Sequence, residues 1–165
     1  MKKDIKFLTK AAVIAAFYVV LILIQIPMGE LAYGPIQLRI AEGLTILPFL
    51  EAAAIPGLFV GCIIGNFVLM SVSSYGVIDV ICGSLITLAA AYLSHKAKNK
   101  YIAMLPPIIL NGILVPVYLS YLLKIPYLAT VLSVSGGEFF SVLIFGNIFY
   151  LAYQRVIGKQ RSNDL

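Results

Sequence analysis

The sequence predicts an all-α integral membrane protein: a single transmembrane domain over 1–165 with six transmembrane helices. Three observations carry this. Hydrophobic residues make up 61% of the chain and charged residues only 12%, against about 25% charged in soluble domains. Long stretches such as 13–20 and 142–152 are apolar almost without a break, which suits helices rather than the alternating strands of a membrane β-barrel. At about 20 apolar residues per span, 165 residues hold about six spans with short connections and no separate soluble domain.

In chain order, the apolar windows predict helices at about 8–28, 41–54, 56–73, 77–95, 101–123 and 130–155. The first follows Met1, Lys2 and Lys3 in the manner of a signal peptide, but the apolar run to Ile26 is long and no small-residue cleavage site follows it, so it reads as a first spanning helix. The second is the shortest. Pro56 and Gly57 separate the second helix from the third, Gly76 the third from the fourth, and Pro126 precedes the sixth. Most connections are therefore tight. The exception is 29–40, with Tyr33, Gly34, Pro35 and Gln37, which is long enough to fold back over a helix bundle as a lid.

This arrangement sorts the charges. One face collects Lys2, Lys3, Lys6, Lys10, Lys96, Lys98, Lys100, Arg155, Lys159 and Arg161, and the other only Arg39 and Lys124. The positive-inside rule then places both termini in the cytoplasm and the lid outside, and requires an even number of spans. The net charge of +5 is therefore a topology signal, since basic residues are not interleaved with aromatic ones as on a nucleic-acid surface. Cys62 and Cys82 lie in apolar stretches without CxxC spacing or a nearby His, which predicts buried packing and no metal site. His95, among lysines, reads as structural.

Small residues recur at every fourth position in two helices. Gly57, Gly61 and Gly65 in the third form a ladder suited to close packing within the chain. Ala11 with Ala15, and Ala12 with Ala16, form a flat face on the first helix that suits either internal packing or docking of another membrane subunit.

Ionisable groups inside a bilayer cost about 2.5–3.5 kcal/mol each on insertion scales, so those retained face a cavity or a partner. Arg39 and Glu42 open the second helix, three apart on one face. They either neutralise each other at the interface or belong to a site. Asp79 and Glu138 have no basic neighbour in sequence and fall in the same outer half. Asn66 and Asn111 lie about 15 Å from the inner helix ends at 1.5 Å per residue, and Tyr75 and Tyr118 border the same region. The expected site is an outward-facing pocket lined by Glu138, Asp79, Asn66 and Asn111 under the 29–40 segment. It suits a small ligand rich in hydrogen-bond donors. Glu51, at the opposite end, is remote from this set.

Enzymatic function is disfavoured: the chain carries no GxxxxGK[ST] phosphate loop, no HExxH, no GxSxG, and one His. Six short helices without a visible inverted repeat are few for a complete alternating-access carrier, so a transport role calls for other subunits to supply energy.

Gly34-Pro35-Ile36-Gln37-Leu38-Arg39-Ile40-Ala41-Glu42, Gly65-Asn66, Ile78-Asp79-Val80-Ile81-Cys82-Gly83-Ser84 and Gly137-Glu138 together resemble the QueT family, whose members are substrate-binding S components of energy-coupling factor (ECF) transporters for queuosine precursors. The resemblance implies an S-component-like bundle in the bacterial plasma membrane, with the first loop covering an extracellular-side pocket. It implies that Ala11, Ala12, Ala15 and Ala16 contact a transmembrane coupling subunit. Two ATPase subunits would use the ATP, and this chain would bind no cofactor of its own. The implied ligand is a deazaguanine base or queuine. A carboxylate such as Glu138 or Asp79 would accept its ring N–H and amino donors as a bidentate pair. Asn66, Asn111 or Gln37 would meet the carbonyl and ring nitrogen, Tyr75, Tyr118 or Phe139 would stack, and Arg39 and Glu42 would touch ligand or brace the lid. Two other readings remain at this point: an S component for another small vitamin-like solute, or a membrane assembly protein without a transport role.

Overall fold

The structure, a computed structural model, describes residues 2–29, 38–71 and 76–163. Most of the expected lid, with Gln37, and also Tyr75 lie outside the described residues. Those described form helices and their connections only: α1 (Lys2–Gln25) ending in a short 3-10 turn Ile26–Met28, a 3-10 helix Ile40–Phe49, α2 (Ala54–Leu69), α3 (Ser84–His95), α4 (Lys100–Leu123), α5 (Tyr127–Phe140) and α6 (Gly146–Asn163). A single turn Gly76–Ile78 and a π turn Asp79–Gly83 lead into α3, and a second π turn, Ser141–Phe145, joins α5 to α6.

Three of these helical runs, Asp4–Met28, Lys100–Leu123 and Tyr127–Ile157, are long and apolar enough to cross a membrane. Ile40–Phe49, Ala54–Leu69 and Asp79–His95 are shorter apolar helices. The six segments therefore appear in the expected order, but the second is not the α-helix expected over 41–54. It is a 3-10 helix of 10 residues, containing Pro48, with a turn before α2. At about 2.0 Å per residue it covers about 20 Å where an α-helix of that length would cover about 15 Å. Its length remains below the hydrocarbon thickness of about 30 Å. Every residue from Ala41 to Pro48 is buried, so this irregular backbone is shielded by neighbouring helices, the condition under which such backbone is tolerated at membrane depth.

The exterior is apolar nearly all round: Phe67, Leu128, Leu132, Ile81 and Val13 are among the most exposed side chains, Leu132 at 76%. A surface of this kind is stable against lipid and not against water. Inside, the apolar packing falls into two clusters. The larger joins Ile14, Tyr18 and Ile22 of α1 to Leu44 and Leu47 of the 3-10 helix, Leu58 and Cys62 of α2, Met104 of α4 and Val142. The smaller holds Ile86, Val115, Leu119 and Val134 between α3, α4 and α5.

The glycine ladder packs within the chain, as its spacing suggests. A Cβ on Gly57 would lie 2.7 Å from the Ala11 carbonyl oxygen, one on Gly61 2.9 Å from Tyr18 Cβ, and one on Gly65 2.3 Å from Ile22 Cδ1. At Gly57 and Gly61, where backbone and Cβ atoms stand in the way, only hydrogen lets α2 lie against α1, while at Gly65 the neighbour is the movable end of the Ile22 side chain. The same contact divides the alanine face. Ala11 and Ala15 are buried in it, while Ala12 and Ala16 stay exposed. Cys62 is buried as expected. Cys82 is not: the π turn directs it to the exposed side.

One end of the bundle is tied by polar contacts. Lys10 Nζ meets Glu51 Oε2 at 2.5 Å, the Tyr153 hydroxyl donates to the same oxygen at 2.9 Å, and the His95 ring Nδ1 donates to the Pro48 carbonyl at 2.7 Å. At the other end Gln25 clasps the segment leading into the 3-10 helix: its amide donates to the Leu38 carbonyl and accepts from the Ile40 N–H at 2.7 Å.

Candidate functional site

A level of buried polar side chains is drawn from α1, the 3-10 helix, α2, the π turn Asp79–Gly83, α3, α4 and α5. Glu42 enters from the first turn of the 3-10 helix and is 1% exposed. The next residue, Gly43, explains its depth. A Cβ there would come within 2.6 Å of Phe145 Cβ and 2.9 Å of the Gly146 nitrogen, so glycine lets the 3-10 helix press against the α5–α6 joint. The Tyr18 hydroxyl of α1 donates to Glu42 Oε1 at 2.5 Å. Arg39 Nη2 stands 3.9 Å from the same oxygen and donates to Asn66 Oδ1 of α2 at 3.0 Å.

Asn66 is fully buried and turns its amide nitrogen toward the Asp79 carbonyl at 2.8 Å and Cys62 Sγ at 3.3 Å. It thereby ties α2 to the first residue of the π turn. The Asp79 carboxylate accepts from the Tyr118 hydroxyl of α4. On the other side, Asn111 Nδ2 of α4 donates to Glu138 Oε1 of α5 at 2.9 Å. A glycine again sets this approach: Gly112 lies so close to Ser135 that a Cβ would meet its Oγ at 2.2 Å.

The electrostatics follow from this geometry. Arg39 is within charge–charge reach of Glu42 and Asp79, and Glu138 is within reach of Glu42 and Arg39. One guanidinium thus faces three carboxyl groups. Glu42 Oε2 and Ser84 Oγ are buried with no hydrogen-bond partner among the described residues. Chemically, the level offers carboxylate and amide acceptors, amide donors and tyrosine hydroxyls, the complement of a small polar ligand. Among the described residues no group of three His, Cys, Asp or Glu side chains has the arrangement to hold a metal ion.

The backbone carrying these groups is irregular at each carboxylate. Glu42 stands on a 3-10 helix, Asp79 opens one π turn, and Glu138 lies in the last turn before the other. Such departures from α geometry concentrate at functional sites.

The structure therefore brings together Arg39, Glu42, Asn66, Asp79, Tyr118, Asn111 and Glu138. Arg39 and Glu42 form an ion pair at 3.9 Å, the first of the two alternatives read from their spacing. Phe139 does not face the level; it is 45% exposed and packs edge-on to Phe140. Tyr18, Gln25 and Cys62 were not singled out from sequence as part of the site. Tyr18 and Gln25 fall at seven-residue spacing from Ala11 on the stripe that meets the glycine ladder, so a polar residue on that stripe was the available signal. Glu51 stays apart. Partial burial raises its pKa, but hydrogen bonds from Lys10, Tyr153 and the Ala53 N–H outweigh this and hold it below the usual carboxylate range.

No solved structure matches the chain. Over 89 residues it is 36% identical to a protein of Lactococcus lactis subsp. cremoris (strain MG1363) named queuosine precursor transporter QueT; the aligned stretch covers 53% of this chain and 49% of the relative, about half its length. The family model described as QueT transporter matches residues 8–155, and the chain belongs to that family.

Proposed function

We propose that this protein is the substrate-binding S component of an ATP-driven ECF importer and that it captures a queuosine precursor, a deazaguanine base or queuine, at the buried polar level. The observation that carries the reading is the burial of Glu42, Asp79, Glu138, Asn66 and Asn111 in the interior of a chain of the QueT transporter family. A structural role alone does not account for three carboxyl groups against one guanidinium, with one carboxylate oxygen left without a partner.

A guanine-like edge presents adjacent N–H donors that Glu138 or Asp79 accepts as a pair, a charge-assisted arrangement about twice as strong as neutral hydrogen bonds. Asn66 and Asn111 offer amide groups for the carbonyl side. Both termini are cytoplasmic in this reading, because ten basic residues lie on their side. The protein sits in the plasma membrane with the 29–40 segment outside.

Energy comes from a module of one transmembrane coupling subunit and two ATPases. Docking uses the exposed pair Ala12 and Ala16, since Ala11 and Ala15 are committed to α2. The test is calorimetry of guanine, aminomethyl- and cyano-deazaguanine, and queuine against the purified protein. Tight binding of at least one deazapurine over guanine supports the reading, and equal weak binding of all four overturns it. Co-purification with ATPase subunits, lost on Ala16→Trp, tests the docking face.

A further inference from the structure

Ser84, the first residue of α3, is 1% exposed, and its hydroxyl is buried without a hydrogen-bond partner among the described residues. The other buried Ser and Thr hydroxyls among those residues each have a partner. Ser141, which opens the second π turn, donates to the carbonyl of Gly137 four residues back at 2.7 Å, the usual refuge of a helical serine. Ser84 follows directly on the first π turn and makes no such bond. A π turn spaces the residues of one face by more than the three to four of an α-helix, so Gly83 and Ser84 come round to the side of Asp79, where the turn begins. A Cβ on Gly83 would lie 3.2 Å from Asn66 Nδ2 and 3.8 Å from both Asp79 Oδ1 and the Tyr118 hydroxyl. One turn beyond Ser84, Thr87 meets Cys62 Sγ at 3.5 Å, and that sulfur also accepts from the Asn66 amide. The start of α3 thus lies against Asn66 on both sides of Ser84.

The donors nearby are committed within the protein. The Asn66 amide nitrogen donates both to the Asp79 carbonyl and to Cys62 Sγ, the Tyr118 hydroxyl is given to Asp79, and that of Tyr18 to Glu42. The Ser84 hydroxyl is not committed. We infer that Ser84 is a substrate-contact residue, whose hydroxyl donates to an acceptor on the ligand, its carbonyl oxygen or a ring nitrogen. This rests on the reading of the level as the deazaguanine site and adds to it a donor on α3. A buried hydroxyl without a partner weakens the empty protein, because it has given up water and gained nothing in return. The bond is made only when the ligand arrives, so all of its worth appears in the affinity and none in the stability of the empty chain. A structural serine has the opposite signature: its loss destabilises the empty protein and leaves the affinity alone.

The experiment pairs two measurements on the full chain in detergent, for the parent and Ser84→Ala: calorimetry with aminomethyl- and cyano-deazaguanine, and thermal unfolding without ligand. The expected result is a dissociation constant raised about threefold to tenfold in Ser84→Ala, the worth of one neutral hydrogen bond, with the midpoint of the empty protein level or higher. Ser84→Cys keeps a weak donor of similar size and should fall between the two in affinity. Parent-like affinity in Ser84→Ala overturns the inference and leaves the deazaguanine reading intact. A lowered midpoint in the empty Ser84→Ala protein shows the hydroxyl to be structural and overturns it as well. Binding of neither ligand by the parent overturns the deazaguanine reading, and the inference with it.

Discussion

Arg39 donates to Asn66 Oδ1 at 3.0 Å, and through that bond a residue at the mouth of the 3-10 helix is fixed to the last turn of α2. Asn66 in turn donates to the carbonyl of Asp79, so one guanidinium orders three separate chain segments. Replacing it leaves Glu42 and Asp79 without their shared cation. Arg39→Met is expected to destabilise the protein by about 3–5 kcal/mol, the usual cost of stranding one member of a buried ion pair. Adding Glu42→Gln should recover part of the loss. Thermal unfolding in detergent measures both, and an unshifted Arg39→Met midpoint contradicts the role given to the residue.

The contact of α1 with α2 yields a steric prediction. Gly61→Val places a branched side chain where even a Cβ would lie 2.9 Å from Tyr18 Cβ and 3.0 Å from the Ala15 oxygen. Backbone has to move, at about 1–3 kcal/mol or more. Gly136 has nothing within 4 Å of its would-be Cβ, so Gly136→Ala should be neutral or stabilising by up to about 1 kcal/mol through helix propensity. The Gly61→Val midpoint should fall, while that of Gly136→Ala should stay level or rise.

A third prediction concerns pH at the polar end of the bundle. Because hydrogen bonds hold the Glu51 carboxyl below its ordinary range, its contribution to stability is present above the unfolded-state value and is lost as pH falls through the lower folded-state value. The pair with Lys10 is partly exposed, so the effect stays below about 1 kcal/mol. The difference in midpoint between the parent and Glu51→Gln should be constant near neutrality and close toward acid. A difference that widens in acid contradicts the assignment.

Gln25 supplies a fourth. Its side chain makes two hydrogen bonds to the backbone at Leu38 and Ile40, which anchor the chain just before Glu42. Gln25→Ala removes both and leaves two backbone groups short of partners, at about 1–3 kcal/mol. Gln25→Glu keeps an acceptor for the Ile40 N–H and loses the donor to Leu38, so it should retain part of the stability. Equal midpoints for both variants and the parent would dismiss the clasp.

How far these features were legible in the sequence depends on the physics behind each. Spans were legible because lipid demands long apolar runs, and the order of six segments follows from that demand. The internal packing of the glycine ladder was legible because glycine at every fourth position clears a groove for a neighbouring helix. Asp79 and Glu138 stood out because charge within an apolar run is expensive whatever the fold. The 3-10 geometry of Ile40–Phe49 was not legible, since it arises from burial on all sides and from the fit of Gly43 against Phe145, both of which are tertiary. The π turns beside Asp79 and Glu138 are hidden for the same reason. Tyr18 lies on the stripe of α1 that meets the glycine ladder, and only its tertiary position brings its hydroxyl to Glu42. The division of the alanine face into a buried pair and an exposed pair needed the rotation of α1 about its axis, which the two adjacent pairs Ala11-Ala12 and Ala15-Ala16 leave undetermined.

The central claim, that the buried polar level is where a small ligand is held, is tested most directly by the dissociation constant of aminomethyl-deazaguanine for the parent, Glu138→Gln and Glu51→Gln proteins. Loss of a charge-assisted hydrogen bond of about 1.5–3 kcal/mol predicts a weakening of roughly tenfold to a hundredfold in Glu138→Gln. Glu51→Gln, at the far end of the bundle, should match the parent. Native affinity in Glu138→Gln, or equal loss in both variants, would contradict the account.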